Sequence, residues 1–183
     1  MKKLNRPQPE PACLNKLRIA NKKWGRSSPN SNHRNEIWNS LTEMQGNFCC
    51  YCESSFSTNE KHIEHFFFKG SDNNGNRPYE HLTYDWSNLF GSCGKDAGAS
   101  CGHFKDKEGT NGPGQYNVTD LIKPDVEDPS EFLTFSQAGS IIALPNLEDD
   151  KSIRANETIR ILNLNFSVLI AARKRRIDIL EKK

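Results

Sequence analysis

The sequence predicts an α+β fold: a central strand–loop–strand–helix unit (ββα) held by cysteine side chains, with an N-terminal helix before it and C-terminal helices after it. Three observations carry this. Five of the six cysteines and four of the five histidines fall between residues 48 and 105, under a third of the chain. Within that stretch two runs with the apolar and aromatic content of strands flank a loop rich in Gly and Asn. On either side of it, apolar residues recur at helical spacing.

At 183 residues the chain is long enough for one domain with its own core. It reads as a single compact unit in three segments: an arm and helix over 1–46, the ββα core over 47–110, and a hairpin with helices over 111–183. A hydrophobic fraction of 34% and a mean hydropathy of −0.78 imply a thin core and help from a metal or a partner. With a formal charge of only +2 the molecule is no polycation, so attraction for nucleic acid has to come from local basic patches. No apolar run follows Lys2 and Lys3, and no segment approaches the ~20 apolar residues of a membrane span. The expectation is a soluble, cytoplasmic protein. There, clustered cysteines are metal ligands more often than disulfides.

The elements follow in order. Pro7, Pro9 and Pro11 make residues 1–12 an extended arm, expected to fray, with Lys2, Lys3 and Arg6 within reach of phosphate. Residues 24–32 read as a loop. Asn32 then caps a helix running to about Met44, with Ile37, Leu41 and Met44 on one face, Trp38 beside them, and Gly46 at its end. Residues 61–68 and 83–90 form the two strands, the loop 70–76 lies between them, and a helix spans 101–108. A hairpin over 132–135 and 141–144 turns at Gly139. Helices over 152–162 and 166–180 close the chain, the second carrying Phe166, Leu169, Ile170, Ile177 and Leu180 near one face. Its basic run Arg173, Lys174, Arg175 and Arg176 interrupts that face, and the two helices are expected to dock a partner.

The chemistry sits in the middle. Cys49 and Cys52 have the C-x2-C spacing that points both sulfurs at one ion, and Cys93 with Cys101 can supply a second pair. Four thiolates at ~2.3 Å make the closed tetrahedral site of structural zinc. Such a site typically contributes about 10–16 kcal/mol, enough to offset a thin core. Residues 94–100 then have to fold back, and Cys50 stands as an alternative to Cys49. Cys13 reads as a small core residue.

Glu64 and His65 are neighbours on a strand and so point to opposite faces; both serve one ion only if the strand is distorted or ends there. A neutral His65 can act as a general base, and Glu64 is a hard oxygen ligand suited to Mg2+ or Mn2+. Asn88 can bond a loop backbone or orient an imidazole, and His103 can donate nitrogen to the same ion from the helix. His62 and His81 read as surface residues.

Cys49-Cys50-Tyr51-Cys52-Glu53, Ile63-Glu64-His65-Phe66, Trp86-Ser87-Asn88-Leu89, Cys93, Cys101 with His103 and Lys105, and Leu162-Asn163-Leu164-Asn165 together carry a family resemblance. The chain resembles the HNH, or ββα-metal, nucleases, and within them the PtuB-type proteins of the Septu and retron anti-phage systems. The resemblance implies a metal-dependent endonuclease with His65 as general base, Glu64 as ligand of the catalytic Mg2+ or Mn2+, Asn88 as the middle asparagine that positions loop and base, and His103 as the last metal-side residue. Many relatives carry Asn directly after the last cysteine. Here that position is Gly102, so the duty falls to His103 or to Asp106. Substrate phosphates would meet Lys69, Arg77, Lys105 and Lys107. The implied partners are the nucleic acid, DNA or RNA, a PtuA-like ABC-type ATPase and, in retron systems, a reverse transcriptase with its RNA–DNA product (msDNA). A ribonuclease acting on transfer RNA or other RNA is one alternative. Another is a zinc-ribbon module that binds nucleic acid or protein without cutting; the presence of Glu64, His65 and Asn88 favours the enzyme.

Overall fold

A computed structural model describes residues 1–56, 61–72, 74–93 and 99–182. The chain runs α1 (Ala12–Ile19), α2 (Ser31–Gln45), β1 (Lys61–His65), β2 (Leu89–Cys93), α3 (Cys101–Lys105), β3 (Leu133–Phe135), β4 (Ile141–Ala143), α4 (Asp149–Ile161) and α5 (Ser167–Leu180). Helices and strands are thus mixed, with two separate two-stranded antiparallel sheets among the described residues.

The arm does not fray. Leu4 is buried and its N–H donates to the Pro124 carbonyl at 2.8 Å. Arg6 donates to Asp125 Oδ2 at 2.8 Å and to the Leu89 carbonyl at 3.0 Å, with its guanidinium 4.7 and 4.6 Å from the Trp86 and Phe90 rings. A cation bound on so many sides is an internal clamp, so Arg6 is neither part of a frayed arm nor free to reach phosphate.

Helix α1 was not expected, although Cys13, Leu14 and Leu17 recur on one face and are buried. The cap of helix α2 lies two residues earlier than expected: Asn30 accepts from the His33 N–H at 2.9 Å, so Asn30, not Asn32, is the N-cap. It ends at Gly46, where φ is 72° and glycine is free of the Cβ penalty. Gln45, buried in the last turn, clips α2 to β2. Its Oε1 accepts from the Gly91 N–H at 2.9 Å and its Nε2 donates to the Gly91 carbonyl at 2.8 Å. Gly91 allows that approach, since a Cβ there would lie 2.8 Å from both Gln45 Nε2 and the Trp38 ring.

Strands β1 and β2 pair antiparallel, with Lys61 opposite Cys93 and His65 opposite Leu89. The second strand starts later than expected. Asp85 accepts from the Ser87 N–H at 2.8 Å and its hydroxyl at 2.7 Å, which commits residues 85–88 to a turn and leaves Leu89 as the first free ladder position. The helix expected over 101–108 is a short one, α3, which packs on β2 and α4.

The β3–β4 hairpin sits on α4, with Asn165 bonding both the N–H (2.8 Å) and the carbonyl (2.9 Å) of Ile141. Helix α4 buries Ala155, Thr158 and Ile161. Helix α5 fully buries only Leu169; Phe166, Ile170 and Ile177 are half-buried and Leu180 is 68% exposed, so the apolar face expected there is only partly covered. Arg173 turns inward and donates to the Leu164 carbonyl at 2.7 Å. Among the described residues no helix is long and apolar enough to cross a membrane.

Candidate metal centre and adjoining charged cluster

Residues 49–54 make a tight turn after α2. The Cys49 N–H donates to Ser54 O (2.9 Å), the Glu53 N–H donates to Cys49 O (3.0 Å), and Glu53 takes a positive φ of 61°. This turn sets Cys49 and Cys52 side by side, and the bond from Cys50 N–H to Gly91 O (3.0 Å) fixes it to β2. Cys93 ends β2. Cys101 opens α3 with φ 59°, its N–H held by Leu162 O at 2.7 Å. The result is four sulfurs within 4.8 Å of one another, with Cys52 and Cys93 at 3.5 Å.

A tetrahedral ion with ~2.3 Å bonds needs sulfurs roughly 3.8 Å apart, so the donor set fits zinc. Burial pulls the Cys49 thiol up, but hydrogen bonding from the thiols of Cys101, Cys50, Cys52 and Cys93 brings it well below its ordinary value. Cys50 is buried outside the four, its thiol held high by burial and by Cys49, so it is Cys49 that pairs with Cys52 in the cluster. Most of the connecting loop, residues 94–98, lies outside the described residues.

A second cluster adjoins the first. Alternation along β1 puts His62 and Glu64 on one face and Ile63 and His65 on the other. Glu64 reaches α3 and lies against Gly102, where a Cβ would sit 2.2 Å from Oε2. His62 Nε2 is 3.2 Å from Oε2, and the His103 ring lies 3.8 Å from that of His62. Lys105, fully buried, brings Nζ to 3.1 Å from Glu64 Oε1, pairs with Asp106, and donates to the His65 carbonyl at 3.2 Å. That oxygen makes an ion pair without a formed hydrogen bond. Burial works against the Glu64 carboxylate, but Lys105 and His62 outweigh it and bring its pKa down to about 2. Burial and Glu64 push Asp106 up to about 7 against the pull of Lys105.

On the other face, the His65 imidazole bonds the Thr83 carbonyl through Nε2 at 3.0 Å, with the Trp24 ring edge-on at 4.5 Å. Burial and then the Lys69 charge push it down to about 3, so it is neutral at pH 7. A carbonyl can only accept, so Nε2 carries the proton and Nδ1 keeps its lone pair. Asn88 clamps the loop between the strands: Oδ1 accepts from Phe67 N–H at 2.7 Å and Nδ2 donates to the Phe67 and Leu82 carbonyls at 3.1 Å.

The chain is similar to the Septu protein PtuB of Bacillus thuringiensis. The two are 26% identical over 139 residues, covering 72% of this chain and 44% of that protein, so the chain spans less than half the relative's length. No family model matches.

The expected site residues therefore divide. Glu64 and His103 meet around His62, which had been read as a surface residue; its place two positions before Glu64 on a strand was the available signal. His65 lies on the opposite face, with Lys69 near enough to act on its charge. Lys105 is corrected: with its ammonium buried between carboxylates it does not face a substrate. Arg77 is exposed on its loop, bonding Ser71 Oγ at 3.3 Å and Glu80 at 3.2 Å. Lys107 is half-buried just past α3, and His81 is exposed.

A catalytic divalent ion does not fit the second cluster as it stands. Among the described residues the four cysteines are the one group of three or more ligand atoms that converges; Glu64, His103 and Asp106 do not. Gly102 offers no donor, and the place beside the two carboxylates is taken by the Lys105 ammonium.

Proposed function

We propose that the chain is an HNH-type nuclease, the effector of a Septu-like anti-phage system, hydrolysing phosphodiester bonds of nucleic acid under the control of a PtuA-like ATPase. The observation that carries this reading is His65: a neutral imidazole with its tautomer fixed by Thr83 O, at the end of a strand whose paired strand leads to a zinc-binding helix. Similarity to a Septu PtuB supports the defence role and the ATPase partner.

In this reading His65 Nδ1 takes the proton of a water as its oxygen bonds to phosphorus and the leaving oxygen departs. Asn88 keeps the strand ends and hence His65 in place, Lys69 supplies positive charge near the base, and the zinc centre anchors α3 against β2. General-base catalysis of this kind is typically worth ~10²–10⁴ in rate.

The test is side-by-side digestion of labelled plasmid, single-stranded DNA and total RNA. The protein is taken alone and with its ATPase, with Mg2+ or Mn2+, as wild type and His65→Ala. Cleavage lost in the variant at unchanged zinc content is the expected outcome; equal cleavage by both proteins would sink the assignment. The RNA arm separates a ribonuclease from a DNase. One observation favours a second reading, a non-cutting zinc module: His65 is only 2% exposed. That reading predicts nucleic-acid or partner binding with no cleavage in any arm.

A further inference from the structure

Two carboxyl groups and an ammonium meet behind α3, and the ammonium is a cation supplied by the chain itself. Lys105 Nζ lies 3.1 Å from Glu64 Oε1, touches Asp106 Oδ1, and donates to the His65 carbonyl at 3.2 Å. Its side chain has no exposure to solvent, and Glu64 has 2%. Gly102 lets the Glu64 carboxylate settle onto the helix, since a Cβ there would overlap Oε2. A hard divalent ion seeks the same carboxylate oxygens, at ~2.0–2.1 Å for Mg2+. Seated at Oε1, it would face a buried ammonium only a few ångströms away with little water to screen the repulsion. The ammonium and the ion are therefore competitors for one place.

We propose that Lys105 is the resident cation of this centre: it holds Glu64, Asp106 and the His65 carbonyl together and keeps hard divalent ions off the two carboxylates. The inference deepens the nuclease reading and rests on it for the meaning of the site.

The test reads binding, not cleavage, so its failure is separable from failure of the nuclease reading. Zinc-loaded protein is titrated with Mn2+ while free Mn2+ is followed by electron paramagnetic resonance. For wild type the free signal is expected to track the added ion through about 1 mM, the range of weak carboxylate sites. Lys105→Met, which keeps the stem and removes the charge, is expected to take up one Mn2+ per chain with half-saturation at least about tenfold lower. Adding Glu64→Gln to that variant should abolish the uptake. Micromolar Mn2+ binding by wild type that Glu64→Gln removes would overturn the proposal, as would a folded Lys105→Met protein that binds none. Should Lys105→Met not fold, the wild-type titration decides alone.

Discussion

Glu64 and His65 are adjacent in sequence, yet each is held in its charge state by different neighbours. His65 has an ordinary pKa of 6.5 and is pushed down to about 3 by burial and by Lys69. Between those values an unfolded chain takes up a proton that the folded chain refuses. Stability is therefore fully present above pH 6.5 and is lost as pH falls toward 3, at ~1.4 kcal/mol per pH unit. Glu64, held at about 2, adds the same sign below 4.5, whereas Asp106, raised to about 7, gains stability as pH drops from 7 toward 3.8. The difference between wild type and His65→Leu isolates the first contribution. Urea unfolding at pH 7.5, 6 and 5 should show wild type losing more stability than the variant on acidification, and parallel losses would contradict the burial account. Gly102→Ala gives a second residue-level prediction: its Cβ displaces the Glu64 carboxylate, at a cost of about 1–3 kcal/mol and a lower melting temperature. At this scale the sequence revealed residue types better than environments. The cysteine spacing made the four-sulfur cluster legible, whereas Asn88, singled out by the family resemblance, was placed inside the expected second strand and lies just before the observed one. Burial is not written in the sequence, so Lys105 was expected at the surface and His62 was passed over.

Among the elements, α5 departs most from its pattern. Its basic run suggested one exposed surface, but Arg173 and Arg175 have different surroundings. Arg173 is half-buried, bonded to the Leu164 carbonyl that ends the turn after α4, with its guanidinium 5.8 Å from the Phe135 ring; Arg175 is exposed. Arg173→Glu should cost about 1–3 kcal/mol in a thermal melt, because a buried acceptor loses its donor and a carboxylate replaces it. Arg175→Glu should stay within about 0.5 kcal/mol. Equal melting temperatures for the two would mean the inward bond carries no weight. Arg175 is accordingly the cleaner probe of partner docking. Helix α2 and the hairpin were legible because apolar spacing and Gly46 or Gly139 mark them. Helix α1 was missed because Pro9 and Pro11 drew the reading toward an extended arm, and β2 was misplaced because the Asp85 turn consumes residues that look strand-like.

For the whole molecule the four-cysteine cluster joins three pieces that are far apart in sequence: the turn after α2, the end of β2 and the start of α3. Metal analysis should find about one tightly held zinc per chain. Cys101→Ser or exhaustive chelation should give poorly soluble protein, since folding and metal binding are one equilibrium here. A folded, monodisperse, zinc-free chain would refute this. Arg6 closes over a span longer than any within the cysteine cluster. Its carboxylate partner, Asp125, lies 119 residues downstream. During synthesis, at ~5–20 residues per second, that partner arrives roughly 6–24 s after Arg6 does. For that interval the arm has the Leu89 carbonyl and the Trp86 and Phe90 rings but lacks both Asp125 and the Pro124 carbonyl that holds Leu4. A ribosome-bound chain arrested before residue 121 should lose its first ten residues to a brief protease pulse, and the finished chain should keep them.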